Sequence, residues 1–147
     1  MEEKKEPQEL EAKQALVIDN DENTAQQTCE LLKEAGYQVT YYSDGVKALK
    51  LIENKPRRWI PELILVDMIL PKMSGFEVVK KFMERYEGKR VVVIMTSKYN
   101  YPEDIMEAKN FGAAGLLKKP VKLDDINQLM AEYAERKFNR QSAPAGF

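Results

Sequence analysis

Five short apolar runs punctuate the chain, each bounded by charged or turn-forming residues: Ala15-Leu16-Val17-Ile18, Tyr37 to Tyr42, Leu63-Ile64-Leu65-Val66, Val91-Val92-Val93-Ile94-Met95 and Gly115-Leu116-Leu117-Lys118. Runs this short and this rich in branched residues suit strands buried on both faces of a parallel sheet. Between them the apolar positions recur at three- and four-residue steps instead. Ala25, Cys29, Leu32 and Ala35 mark a first helix from about Glu22, and Val46, Leu49 and Ile52 a second after Ser43-Asp44-Gly45. Phe76, Val79, Met83 and Tyr86 give a third its buried stripe, and Ile126, Leu129, Met130 and Tyr133 line a last one from about Leu123. These stripes are core faces by default. Five strands alternating with five helices predict an α/β fold, a doubly wound five-stranded parallel sheet in the order 2-1-3-4-5 with right-handed crossovers.

Local signals place the ends of these elements. Gly36 follows the first helix as a left-handed cap. Ser74 and Glu77 have the spacing of a capping box. Pro102 with Glu103 and Asp104 suits the first turn of the fourth helix, where the missing N–H costs nothing, and Gly112 ends it. The segment Asn54-Lys55-Pro56-Arg57-Arg58-Trp59-Ile60-Pro61 is loop, and Trp59 either folds back over the core or anchors a partner, the first being the ordinary role of such a side chain. Residues 1–13 are nearly all charged and read as a tail, residues 14–138 as the folded domain, and residues 139–147 as a flexible tail or the start of a linker.

Composition narrows the chemistry. With 147 residues there is one core, and 23 Lys+Arg against 24 Asp+Glu leave a formal charge of -1, so no global field draws the chain to nucleic acid or anionic lipid. No apolar run approaches the roughly 20 residues that span a bilayer, and the charged N-terminus is unlike a signal peptide, so a cytoplasmic location is expected. Cys29 is the only cysteine and there is no histidine, which excludes intrachain disulfides, Cys/His zinc sites and every His-based catalytic arrangement. Cys29 itself reads as a structural thiol.

The polar residues that close the strands carry the functional signal. The first strand ends in Asp19-Asn20-Asp21-Glu22, the third in Asp67, the fourth in Thr96 and Ser97, and the fifth runs into Lys119-Pro120. In an open α/β sheet the carboxyl ends of the strands line the ligand crevice, and strands one and three flank the switch point of the order 2-1-3-4-5. One rim therefore receives Asp19, Asn20, Asp67, Thr96 and Lys119. A carboxylate that attacks a phosphoryl donor must overcome the repulsion of two negative charges. Oxygen ligands that hold Mg²⁺, together with a lysine ammonium and a hydroxyl donor, neutralise the equatorial phosphoryl oxygens. The product is an aspartyl phosphate. Each residue taken alone also has a plainer role as a cap or surface charge, and Asp21 reads as the cap of the first helix.

The motifs LVIDNDE, LVDMILPKMSG, VIMTS and LLKKP stand in the order and on the elements of a receiver domain of the two-component response-regulator family, which the chain resembles over roughly residues 14 to 138. The resemblance implies a flavodoxin-like, chemotaxis-regulator-like single domain with Asp67 as phosphoacceptor and Asp19 as an acid of the Mg²⁺ site. It further implies the backbone carbonyl of Ile69 as a metal ligand, Thr96 as the phosphate-sensing hydroxyl, Lys119 as the phosphate-contacting cation and a cis peptide before Pro120. The phosphoryl group would come from a sensor histidine kinase or a histidine phosphotransfer protein. The output would pass to a protein partner on the face of helix four, strand five and helix five, where Tyr99 and Tyr101 are candidate contacts, and a phosphorylation-dependent homodimer is compatible with the family.

Several positions depart from the family pattern. The usual acid pair is Asp19-Asn20, so one metal ligand is a neutral amide and Mg²⁺ should bind more weakly. The aromatic switch residue of strand five is replaced by Leu116. Apolar Ile69 and basic Lys98 flank the point from which water would attack a phosphoaspartate, which predicts slow Mg²⁺-dependent self-dephosphorylation rather than a conventional enzyme. The competing readings are a degenerate receiver that binds partners without phosphorylation, a haloacid-dehalogenase-type phosphatase suggested by LVIDNDENT, and an FMN binder. The phosphatase reading lacks a downstream acidic Gly-Asp motif, and the flavin reading lacks a Ser/Thr/Gly-rich phosphate loop after strand one.

Overall fold

A computed structural model describes residues 12–139. Strands β1 (Lys13–Ile18), β2 (Tyr37–Tyr42), β3 (Leu63–Asp67), β4 (Val92–Ser97) and β5 (Gly115–Lys118) alternate with helices α1 (Glu22–Glu34), α2 (Gly45–Glu53), α3 (Gly75–Arg85), α4 (Pro102–Asn110) and α5 (Leu123–Tyr133). The sheet order is β2-β1-β3-β4-β5 and all four pairings are parallel. This is the doubly wound order expected for the alternating strands and helices, in the flavodoxin-like arrangement that the resemblance implied.

Alternate residues of each strand feed two cores, as the period-2 pleat requires. Leu16, Ile18, Ile64, Val66, Val93 and Met95 pack with α2, α3 and Ala108 of α4 on one face. Ala15, Val17, Leu63, Leu65, Val92 and Ile94 pack with α1 and α5 on the other. Trp59 packs against the first core.

The caps follow the sequence closely. Asp21 accepts from the backbone N–H groups of Asn23 and Thr24, Asp44 from that of Lys47, and Ser74 from that of Glu77. The capping box is half formed, because the Ser74 hydroxyl rather than its N–H faces the Glu77 carboxylate, at 3.5 Å. Gly112 ends the fourth helical stretch with φ +110°, a left-handed conformation that side chains resist, and a Cβ there would meet Met83.

Three expectations shift. The α3 stripe is centred on Val78, Val79 and Phe82, with Tyr86 buried just past the C-terminal end of the helix, and Phe76 and Met83 only half-buried at its margin. Lys13, assigned to the tail, opens β1 opposite Tyr37, and its ammonium lies 4.5 Å from the centre of the Tyr37 ring. Strand β4 begins at Val92 rather than Val91. Beyond α5 the chain continues as a wider π-type turn over Ala134–Asn139. The expectations for residues 1–11 and 140–147 fall outside the described residues. Among the described residues no helix is long and apolar enough to cross a membrane.

Candidate functional site

Asp67 closes β3, whose five residues are all buried. Its ladder partner is Thr96 on β4, and Ile18 of β1 pairs with Val66, so Asp19 arrives level with Asp67 on the other side. Lys119 comes in from β5, where its backbone N–H donates to the Ser97 carbonyl at 2.8 Å. The Lys119 ammonium then donates to Asp67 Oδ2 at 2.8 Å and to Asp19 Oδ1 at 3.0 Å, bridging residues that lie 52 and 100 positions away in sequence. Four of the predicted rim residues thus meet within hydrogen-bonding range or on adjacent rungs of the sheet.

The loop after Asp67 folds tightly back. Met68 N–H donates to the Thr96 carbonyl at 2.8 Å, Ile69 N–H to Asp67 Oδ1 at 3.2 Å, and Gly75 N–H to the Met68 carbonyl at 3.1 Å. A Cβ on Gly75 would overlap the Asp67 carbonyl oxygen and the Met68 backbone, so only glycine lets α3 start this close to the site.

Electrostatically the site is a buried triad of two carboxylates and one ammonium. Burial pushes the Asp67 carboxyl up, to about 6, against the hydrogen bond and charge of Lys119 that pull it down. Burial pulls the Lys119 ammonium the other way, but the two carboxylates outweigh it and its net shift is upward. Lys119 is therefore charged across the whole range in which Asp67 titrates.

Asn20, Asp67, Ile69, Lys98, Lys119 and Pro120 line a cavity of about 540 Å³ over this triad. The Lys119-Pro120 peptide bond is cis, as the resemblance implied. Ile69 holds its apolar side chain 73% exposed at the rim. Thr96 is buried, and its hydroxyl makes no hydrogen bond among the described residues. Leu116, at the position of the missing aromatic, pairs with Met95 and sits in the first core. Cys29 is half-buried, with its thiol pushed up chiefly by burial, which suits a structural thiol.

Two supporting residues escaped the sequence reading. The Thr24 hydroxyl donates to Asp19 Oδ2 at 3.1 Å, and the Tyr41 hydroxyl to the Asp19 carbonyl at 2.7 Å. Burial, with Asp19 adding to it, pushes the Tyr41 phenol up and keeps it a donor. Thr24 was visible only as a helix residue five places after Asp19, and the Tyr41 contact depends on the β1–β2 register, which the sequence leaves open.

The oxygen-bearing side chains brought together here are hard donors: Asp67, Asn20 and Asp21 line the cavity, and Asp19 is tied to Asp67 through Lys119. That set suits Mg²⁺ or Ca²⁺ chemically. It is short of one charge, because Asn20 stands where a further carboxylate would complete a cluster, and among the described residues no three acidic or Cys/His groups gather into a metal site.

Comparison with known proteins agrees with this geometry. Residues 15–131 match the response regulator receiver domain family, and the chain belongs to that family. It is 34% identical over 110 residues to sporulation initiation phosphotransferase F of Bacillus subtilis, a match covering 75% of this chain and 84% of that protein. It is 32% identical over 99 residues to a two-component response regulator of Oryza sativa subsp. japonica, covering 67% of this chain but 46% of that protein, so the chain spans under half of that longer relative. Among solved structures, a CheY-like receiver domain from Methanospirillum hungatei superposes with a TM-score of 0.70 at 27% identity, over 87% of this chain and 98% of that one. The CheX–CheY complex with BeF3 and Mg²⁺ from Borrelia burgdorferi gives 0.70 at 21%, over 82% and 87%. Receiver domains of the family bind divalent metals and act with kinases and phosphotransfer proteins.

Proposed function

We propose that this domain is a phosphorylation-activated switch in which Asp67 accepts a phosphoryl group from the phosphohistidine of a histidine kinase or phosphotransfer protein. The observation that carries the reading is the Asp67–Lys119–Asp19 triad at the carboxyl rim of β1, β3 and β5. An Asp67 carboxylate oxygen attacks phosphorus, the P–N bond to imidazole breaks, its electron pair returns to the ring, and the ring nitrogen takes a proton from solvent. Lys119 holds a phosphoryl oxygen, and Thr96, the ladder partner of Asp67 on β4, donates its hydroxyl to another. Asp19, Asn20, Asp67 and the Ile69 carbonyl are the residues that would hold Mg²⁺, which supplies charge neutralisation between donor and acceptor.

Movement of Thr96 toward the phosphoryl group would pull on the loop that leads into α4, shifting a pre-existing equilibrium on the α4–β5–α5 face. Tyr99 and Tyr101 support an output role there, since both are more than half exposed and their rings stack at 5.5 Å. With Leu116 in the core, any relay passes through Thr96 and its loop without an aromatic partner in β5. Exposed Ile69 and Lys98 offer no acid or amide to orient water, which supports slow self-dephosphorylation.

Asn20 favours a second reading, a receiver that works by phosphorylation-independent binding. Intact mass after incubation with acetyl phosphate, with Mg²⁺ or with EDTA, separates the two. A single added phosphoryl group that requires Mg²⁺ and is lost in Asp67→Ala supports the switch. No adduct from acetyl phosphate or from a cognate kinase supports the binding module.

A further inference from the structure

Asp19 carries more hydrogen bonds than any other rim residue. Its Oδ1 accepts from the Asp21 N–H at 2.9 Å and from Lys119 at 3.0 Å. Its Oδ2 accepts from the Thr24 hydroxyl at 3.1 Å and lies 3.0 Å from the Lys119 ammonium, and its carbonyl accepts from Tyr41. Of these, the Thr24 and Tyr41 contacts come from side chains outside the receiver motifs, and of the two only Thr24 reaches the Asp19 carboxylate itself. Thr24 stands in the first turn of α1, three residues after the Asp21 cap. Its backbone N–H is fixed on Asp21 Oδ1 at 3.3 Å, and its side chain lines the same cavity as Asp67 and Asn20.

The Thr24 hydroxyl has one proton and two acceptors at the same distance, Asp19 Oδ2 and the Asp21 carbonyl, each at 3.1 Å. Donating to Asp19 fixes the carboxylate plane. Partners of a ligating carboxylate orient it, and their loss typically lowers metal affinity about 10- to 100-fold. The dependence should be strong here because Asn20 contributes no charge and Asp21, which also lines the cavity, is engaged through Oδ1 in capping α1, so Asp19 is the carboxylate that Lys119 holds beside Asp67.

We propose that Thr24 is a positioning residue of the divalent-cation site, holding the Asp19 carboxylate in its ligating orientation. This rests on the reading of the rim as a Mg²⁺ site. The test is calorimetric titration of Mg²⁺ into the full chain as wild type, Thr24→Val, Thr24→Ala and Thr24→Ser, with melting of each in EDTA as the structural control. The expected result is a Kd raised about tenfold in Thr24→Val and Thr24→Ala and restored to within about twofold in Thr24→Ser, with Val and Ser melting alike without metal. Wild-type binding that Thr24→Val and Thr24→Ala leave unchanged overturns the role of Thr24 while the site stands. Absence of Mg²⁺ binding by the wild type, together with its appearance in Asn20→Asp, overturns the metal reading of the native rim and this inference with it.

Discussion

Replacing Asp67 by Asn should stabilise the protein at neutral pH and do nothing at low pH. The folded chain holds the Asp67 carboxyl at about 6, raised from 3.8 by burial despite the Lys119 ion pair. Between those values the native state binds a proton that the unfolded state has released, so stability falls as pH rises through the window from about 4 to about 6. At about 1.4 kcal/mol per unit, the full penalty above that window is about 3 kcal/mol at most. Asparagine keeps the shape and cannot ionise, so its folding free energy lacks this slope. Lys119 is charged throughout the window, and its pairing with Asp67 grows only as Asp67 ionises, so it is already contained in the position of that titration. Urea denaturation of both proteins at half-unit steps from pH 4 to pH 7.5 gives the difference curve directly. The stability of Asp67→Asn minus that of the wild type should climb by up to about 3 kcal/mol and level off near pH 7. A flat curve, or one that descends with rising pH, refutes the claim that burial outweighs the ion pair at Asp67.

Asn20→Asp restores a charge to the donor set and should tighten Mg²⁺ binding by about tenfold, read by calorimetry. Gly75→Ala forces a methyl into the Asp67 and Met68 backbone and should cost about 1–3 kcal/mol in urea, with loss of phosphorylation by acetyl phosphate. Asp21→Ala removes the α1 cap and should cost about 1 kcal/mol of stability. The phosphorylated wild type should persist for minutes or longer by intact mass, with Ile69→Asn shortening its lifetime; decay of the wild type within seconds contradicts the assignment of Ile69 and Lys98.

The rim was legible because each central strand changes abruptly from branched apolar residues to one polar group, as at Val66-Asp67 and Met95-Thr96, whereas the sheet order came with the doubly wound pattern and the family resemblance. A strand end is a local signal. The facing of α3 was not legible, because Phe76, Val79, Met83 and Tyr86 compete with Gly75, Val78, Val79, Phe82 and Tyr86 as stripes of nearly equal spacing. The choice between them follows from the approach of Gly75 to the Asp67 backbone, a tertiary contact that no helical period encodes. Thr24 and Tyr41 were hidden for a related reason: each reaches Asp19 only once α1 and β2 have taken their places beside β1. Lys13 read as tail because its charge masked a stem that lies along Tyr37 at the sheet edge.

The ammonium that ties Asp19 to Asp67 comes from the last strand of the sheet, 100 residues after the first acid it holds. A growing chain that has laid down β1, β3 and β4 already has both carboxylates, yet the two acids face each other without the cation that reconciles them. Only the arrival of β5 supplies it. Completion of the fold and assembly of the Asp19–Lys119–Asp67 site are therefore a single event, and a chain that stops short of β5 lacks the assembled site.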